Sequence, residues 1–186
     1  MSRGIFRFAF AAAVMAAAAG CAGYRWTSRV PEELRTVAVP VFENRTASAE
    51  LGPIVTQYVL REFQREGTFS IRRAGDSSIE VQGAIISAGQ SSLSYDRSYD
   101  NRGRVYRYTV TAEVSIINKD TGKVLQDNRR YTGETTFLVL GADMLTGRRD
   151  AAARVAVELA RQIVDDVTSW PYNKPAGTGR VEGAQK

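Results

Sequence analysis

The chain has 186 residues, with 25 lysines and arginines, 20 aspartates and glutamates, no histidine and one cysteine, and its formal net charge is +5. The absence of histidine excludes Ser-His-Asp and Cys-His catalytic arrangements and histidine-ligated zinc sites. The mildly basic balance lacks the clustered Lys/Arg and stacking aromatic residues of a nucleic-acid-binding protein, so nucleic acid is not an expected partner.

Residues 1–20 have the pattern of a bacterial export signal. Arg3 and Arg7 precede a short apolar run, and small residues stand directly before Cys21, the only cysteine of the chain. The run is shorter than the ~18 residues that a helix needs to cross the core of a bilayer, so we expect a cleaved signal peptide. Cys21 is then the predicted lipidation site of a secreted lipoprotein, anchored stably by its acyl chains. The alternative is an ordinary cleavage site that a cysteine happens to follow.

The chain that remains after cleavage has a length that suits one domain with a sizeable core. We expect residues 21–35 to form the lipidated N-terminus and a linker, and residues 36–172 to form the domain. Residues 173–186 are rich in glycine, alanine and charged side chains, a composition typical of a disordered tail.

The domain is predicted to begin with a strand, a loop and a helix. Three valines alternate with period two in Thr36–Phe42, which indicates a strand with one buried face, and Pro40 predicts that this strand lies at an edge or ends there. The polar segment Glu43–Ser48 is a predicted loop. Apolar residues recur at helical spacing in Pro53–Glu66, and Gly67 is suited to end that helix. The apolar stripe is expected to face the core, with a partner-binding face as the alternative.

The middle of the chain is predicted to supply most of the sheet. Phe69–Arg72 indicates a short strand and Ser78–Ser87 a longer one, before the polar, turn-rich segment Ser91–Arg104. The clearest alternation is in Tyr108–Ile116, where apolar and polar residues take turns. This pattern predicts a strand with one buried face and one solvated face.

A hairpin and a second helix complete the predicted domain. Asn118–Lys123 contains the Asp and Gly that a tight turn favours, and Val124–Thr136 is expected to return as an antiparallel strand. The second helix is predicted over Asp150–Trp170, with Asp150 as its cap and Pro171 as its end. The element order predicts an α+β fold, in which a roughly four-stranded, mostly antiparallel or mixed sheet carries both amphipathic helices on one face.

Carboxylate chemistry is the main enzymatic possibility that the composition leaves open, since paired Asp and Glu can act as acid and base. The candidate pairs are Glu32-Glu33 and Asp165-Asp166. Neighbouring residues on a helix point about 100° apart and do not converge, so both pairs are interpreted as solvated charge. No phosphate-binding loop spacing occurs either. We therefore expect a protein that is not an enzyme and that carries no cofactor.

Several segments together resemble the LptE family of lipopolysaccharide-assembly lipoproteins. They are Cys21–Tyr24, the VAVPVFENRT segment at 37–46, the YRYTVTAEV strand at 106–114 and the DTGK turn at 120–123. The resemblance implies a domain that sits as a plug inside an LptD-like β-barrel, assists its assembly and passes lipopolysaccharide to the cell surface. It also implies an outer-membrane location facing the periplasm, which Ala22, in place of aspartate, favours by its likeness to sorted lipoproteins.

The resemblance also points to arginines as lipopolysaccharide contacts. Members of the family have a basic residue at the turn before the long central strand, where this chain has Arg102 and Arg104. Guanidinium groups suit such a role because they bind phosphates and carboxylates through paired hydrogen bonds. The full set of candidates adds Arg97 and Arg107 as secondary residues, and Arg148 and Arg149, which precede the last helix as a second basic position of the family does.

Two alternatives remain at this stage. The arginines can be solvated loop residues that Asp96 and Asp100 neutralise locally. The VAVxxFEN pattern is also similar to the periplasmic domains of curli-type secretion lipoproteins and of activators of peptidoglycan synthases. Both classes would be lipoproteins with partners other than a lipopolysaccharide-transporting barrel.

Overall fold

One mixed sheet and two helices make up the residues that the computed structural model describes, 30–93, 104–139 and 144–172. The α+β class and the two helices agree with the prediction, but the sheet has six strands rather than four. The strands are β1 (Thr36–Ala38), β2 (Glu43–Asn44), β3 (Ser70–Ile71), β4 (Ile79–Ser92), β5 (Arg104–Asn118) and β6 (Val124–Val139), and the helices are α1 (Leu51–Glu66) and α2 (Met144–Ser169).

The three long strands form an antiparallel meander, β4-β5-β6, and the short strands extend it in parallel on the far side of β4. Pro40 predicted either an edge strand or a strand that ends there, and the structure shows the second outcome, because β1 lies between β3 and β4 and ends at Ala38, two residues before the proline. Pairing with β4 resumes at β2. Val37 pairs with Ile79 and Glu43 pairs with Ala84, so the chain between β1 and β2 contains one residue more than the matching stretch of β4. The predicted loop therefore begins as a strand.

The N-terminal part of the domain is packed before residue 36. Val30 is 1% exposed and belongs to the core, although it falls in the predicted linker. The guanidinium of Arg35 donates to the carbonyl oxygen of Val30 across a short 3-10 turn, Glu32–Leu34. The predicted signal, the lipidation site and the tail at 173–186 lie outside the described residues.

Helix α1 begins at Leu51, two residues earlier than predicted, and ends as predicted at Gly67, whose φ of 81° only glycine adopts without strain. Its buried stripe faces the sheet, which confirms the interpretation of that stripe as core. Thr56 ties the helix to the sheet, because its hydroxyl accepts the amide proton of Phe42 at 2.9 Å and donates to the carbonyl oxygen of Gly52 at 2.8 Å.

Helix α2 is longer than predicted. It begins at Met144, so Asp150 lies inside the helix and does not cap it, and it ends at Ser169, just before Pro171. The early start is stabilised by packing, since Gly147 lies against the ring of Phe137 so closely that an added Cβ would be 2.9 Å from it. No helix in the described ranges combines the length and the apolar character that a membrane span requires.

The core lies between the two helices and one face of the sheet, which we call the inner face. The alternation predicted for β5 is confirmed, because Tyr108, Val110, Ala112, Val114 and Ile116 are all buried against the helices. The residues between them point to the opposite face, which neither helix of the described ranges covers and which we call the open face. The turn after β5 is also confirmed, with a φ of 67° at Gly122.

Replacement of Gly83 tests the packing of β4 against Phe42. An alanine Cβ at this position would be 2.2 Å from the buried ring of Phe42, so we expect Gly83→Ala to lower the free energy of unfolding by about 1–3 kcal/mol. The matched control is Gly89→Ala on the same strand, which has no atom within 4 Å of the added Cβ. Urea denaturation measures the free energy of unfolding of both variants. An equal effect of the two substitutions would contradict the close packing of Gly83 against Phe42.

Candidate functional site

Four of the six predicted lipopolysaccharide-binding arginines, Arg104, Arg107, Arg148 and Arg149, are among the described residues, and they map to the end of the sheet at which β4 ends and β5 begins. In the described residues this end comprises 90–93, 104–108, 136–139 and 144–149, and we call it the arginine end. Arg97 and Arg102 lie outside the described residues, between β4 and β5 in the sequence. Arg104 is the first residue of β5 and is paired with Val139 of β6.

The remaining candidates lie on two sides of the sheet. Arg107 is exposed on the open face, with its Nε 3.9 Å from a carboxylate oxygen of Glu134. Arg148 is half-buried on α2, on the inner side, where burial raises the pKa of the Tyr108 phenol and the charge of Arg148 acts against that shift. Arg149 is exposed beside it. The structure thus brings these arginines to one end of the domain but not to one surface.

The arginine end also exposes large apolar side chains. Leu93, Leu138 and Leu145 are 46%, 53% and 64% exposed, and they are three of the five exposed large apolar residues in the described part of the chain. Leu93 lies opposite Val105, whose carbonyl oxygen accepts its amide proton at 2.9 Å, and Val105 lies opposite Leu138. Leu93, Val105 and Leu138 form an apolar row on the open face, which runs from the end of β4 across β5 to β6.

Sequence reasoning missed this row. Leu93 stands in a segment that reads as a polar loop, and Leu138 lies beyond the predicted end of β6 at Thr136. The available signal was the period of two after Tyr131, which places Leu138 on the polar side of the strand. A large apolar residue on a solvated face marks a possible contact surface.

Contacts of α2 hold the arginine end together. The amide of Gln90 donates to the sulfur of Met144 at 3.3 Å, which joins the end of β4 to the start of α2. The rings of Tyr106 and Phe137 stack with centroids 5.6 Å apart, and Gly147 packs on Phe137. These contacts fix the first turns of α2, which carry Arg148 and Arg149, against the sheet.

A groove of about 350 Å³ lies on the open face, away from the arginine end. Each of its three carboxylates has a cation: Glu43 pairs with Arg45 at 2.9 Å, Glu80 with Lys119 at 3.0 Å, and Glu113 with Arg130 at 2.8 Å. The pKa of Glu43 is lowered by its hydrogen bond with Arg45, and that of Glu80 is lowered mainly by its hydrogen bond with Gln82.

The groove thus offers carboxylates that are each paired with a cation. Among residues 30–93, 104–139 and 144–172, no group of three Asp, Glu, His or Cys side chains is placed to hold a metal ion.

The Asp165-Asp166 pair differs from the prediction in one member. Asp165 is exposed, as expected of solvated charge, but Asp166 accepts the hydroxyl proton of Tyr131 at 2.5 Å and pairs with Arg129 at 2.9 Å. The buried Gln126 donates to the same tyrosine oxygen at 3.0 Å. Burial, and next the hydrogen bond to Asp166, raise the pKa of Tyr131 to about 12.

Comparison with known proteins identifies the family. The sequence model of the LptE family, described as lipopolysaccharide-assembly, matches residues 34–167, which is most of the chain and nearly all of the domain. The chain belongs to the LptE family. Members of this family are lipoproteins of lipopolysaccharide assembly, so this LptE-family protein is an envelope lipoprotein that works with the lipopolysaccharide transport machinery. Comparison with curated proteins finds no match.

Two solved structures are similar to this chain at low sequence identity. The hypothetical protein CT253 from Chlamydia trachomatis is 12% identical with a TM-score of 0.50, and the match covers 75% of this chain and 98% of that one. The uncharacterized lipoprotein B from Nitrosomonas europaea is 14% identical with a TM-score of 0.47, covering 77% and 88% of the two chains. The likeness to CT253 shows the fold alone.

Titration of Tyr131 tests the network around Asp166. We expect Asp166→Asn to bring the pKa of Tyr131 down from about 12 toward its ordinary value of 10, because the carboxylate disfavours the phenolate. Absorbance at 295 nm between pH 9 and 13 follows the change, and Tyr131→Phe identifies the transition that belongs to this residue. Asp165→Asn is the control and should leave the pKa of Tyr131 unchanged.

The same network predicts an alkaline loss of stability. Since the folded pKa of Tyr131 lies above the unfolded value of about 10, its contribution is complete below pH 10 and is lost as the pH rises toward 12. Urea midpoints measured between pH 8 and 11.5 should fall less steeply for Tyr131→Phe than for the unchanged protein. Equal slopes would contradict the raised pKa.

Proposed function

We propose that this LptE-family protein is an outer-membrane lipoprotein that plugs an LptD-like β-barrel, assists the assembly of that barrel and takes part in the delivery of lipopolysaccharide to the cell surface. The family match over residues 34–167 is the observation that carries the proposal. The role is binding and positioning, without a chemical step.

The chemistry of the arginine end supports contact with lipopolysaccharide. That glycolipid carries phosphates and acidic sugars beside acyl chains, so a surface that binds it needs guanidinium groups next to apolar side chains. The described residues supply both, with Arg107 near the apolar row on the open face and Arg149 near Leu145 on α2. In the proposal Arg102, Arg104 and Arg97 complete this basic surface.

The open face supports a place inside a barrel. Its central polar groups bond to one another across the strands: Arg130 to Glu113 at 2.8 Å, Thr109 to Glu134 at 3.3 Å, and Thr111 to Thr132 at 3.3 Å. A face of this kind keeps its polar groups satisfied without water or a partner, and it suits the polar interior wall of an outer-membrane barrel.

The proposed anchor would keep the domain near the membrane. Val30 is fixed in the core nine residues after Cys21, and a fully extended chain of that length spans at most ~30 Å. Acylation of Cys21 would therefore hold the domain within a short distance of the bilayer surface. Tethering of this kind raises the effective concentration of the domain at a membrane partner without adding a contact.

Removal of Arg102 and Arg104 tests the proposed lipopolysaccharide site. We expect Arg102→Ala/Arg104→Ala to weaken lipopolysaccharide binding roughly tenfold at low salt, because two donors to anionic groups are lost. Binding to immobilised lipopolysaccharide measures the effect. The control is Arg72→Ala/Arg73→Ala, which removes the same charge from exposed positions between β3 and β4. Equal binding by both variants would remove these arginines from the site.

Cys21→Ala tests the anchor. We expect the exported variant to keep its fold, measured by circular dichroism, and to recover several-fold less barrel protein from detergent-solubilised outer membrane, because its effective concentration at the membrane is lower. Mass spectrometry of proteins that co-purify with the unchanged chain identifies the partner. Recovery of a peptidoglycan synthase or a ring of identical subunits, without a barrel, would contradict the proposed function.

A further inference from the structure

The outer edge of β6 is a long strand edge without a strand partner in the described part of the sheet. β6 has 16 residues and pairs only with β5. An edge of this length exposes a row of backbone N–H and C=O groups that can pair with another chain. Soluble and lipid-anchored proteins must cover such a row in some way.

Side chains of α2 bond to this row. Three residues spaced by four along the helix reach three backbone groups spaced by two along the strand. The bonds join Arg154 Nη2 to the carbonyl oxygen of Thr136 at 3.0 Å, Glu158 Oε2 to the amide nitrogen of Glu134 at 3.1 Å, and Gln162 Nε2 to the carbonyl oxygen of Thr132 at 3.2 Å. We call these three residues the edge ladder.

The spacing and the polarity of the edge ladder both match the strand. Four residues of helix rise about 6.0 Å and two residues of strand about 6.7 Å, so side chains four apart on the helix keep pace with alternate residues of β6. Residues 132, 134 and 136 each present both an N–H and a C=O at the outer edge, and the helix bonds one group of each. Gln162 and Arg154 donate to carbonyl oxygens of Thr132 and Thr136, and Glu158 accepts the N–H of Glu134. A bond of 3.3 Å from Gln162 to Glu158 joins two of the rungs.

The next position of the same helical stripe is Asp166, and here the edge is closed differently. Asn128 has a φ of 44° and lies between Arg129 and Gln126, where the register of β6 against β5 shifts, so the strand is irregular at this point. Asp166 accordingly takes side chains, those of Tyr131 and Arg129, rather than a backbone group. A bulge is itself a barrier to strand addition.

We propose that Arg154, Glu158 and Gln162 act in place of a neighbouring strand and keep β6 from pairing with the β6 of a second copy of this chain. The second copy is the occupant that the edge fits best. Two identical edges in antiparallel register centred on Glu134 bring each Thr132 opposite a Thr136, and all outward groups then pair around a two-fold axis. This inference is independent of the barrel partner and of lipopolysaccharide.

The test is the mass of the protein after removal of the ladder. Arg154→Ala/Glu158→Ala/Gln162→Ala, prepared as the full chain in a mild non-ionic detergent, is expected to show a concentration-dependent twofold rise in protein mass by light scattering. The unchanged chain is expected to remain monomeric. The control is Arg161→Ala/Asp165→Ala, which removes one positive and one negative charge from exposed positions of α2 and should also stay monomeric.

A fourth substitution identifies the surface that pairs. Glu134→Pro removes the central outward N–H, which β5 does not use, and proline is tolerated at such edge positions. Added to the ladder variant, it should restore the monomer. Three outcomes would each overturn the proposal. The ladder variant could stay monomeric, or it could form a dimer that persists when Glu134→Pro is added. The third outcome is that the unchanged chain is already a dimer and that Glu134→Pro dissociates it.

If the ladder variant fails to fold, hydrogen exchange of the Glu134 amide in Glu158→Ala decides the question. Loss of its acceptor should speed exchange at this amide at least tenfold relative to the unchanged chain, while the amide of Val110 in the centre of the sheet keeps its protection. Unchanged exchange at Glu134 would show that the helix does not close the edge.

Discussion

The close packing of α2 on β5 and β6 is the contact on which the rest of the domain depends. Gly133 permits it, because a Cβ at this position would be 2.9 Å from a methyl carbon of Val155 and 3.1 Å from its carbonyl oxygen. With the helix backbone this near the strand, the apolar stripe of α2 is buried and its polar flank reaches the edge of β6. The same approach carries the start of α2 onto Phe137, which places Arg148 and Arg149.

This arrangement divides the molecule by chemistry. The inner face and the helices hold the apolar core, the open face carries cross-strand polar pairs, and the arginine end combines cations with exposed leucines. Stability therefore rests on one side of the sheet, and the surfaces proposed for the barrel and for lipopolysaccharide lie on the other side and at one end. Substitutions at the arginine end can then alter binding while the core stays intact.

Much of the fold could be predicted, because the signals are local. The alternation in β5 and the helical spacing with Gly67 in α1 follow from the geometry of strand and helix alone. Predictions were wrong where distant contacts decide. The two-residue strand β2 exists only because β4 pairs with it, and Gly147 is helical because Phe137 packs on it. The candidate arginines followed from the family resemblance, but neither their distribution over two sides of the sheet nor the apolar row did.

The sequence by itself determined the α+β class, the buried face of each long element, the family resemblance and the lack of histidine chemistry, since periodicity and composition are properties of the chain. Only the tertiary structure decided that Asp166 is bound to Tyr131 and Arg129, that Leu93, Val105 and Leu138 form one row, and that α2 closes the edge of β6. Each of these contacts joins residues of different elements. Whether these residues meet depends on how the helix and the strands pack against one another, and no local sequence pattern encodes that packing.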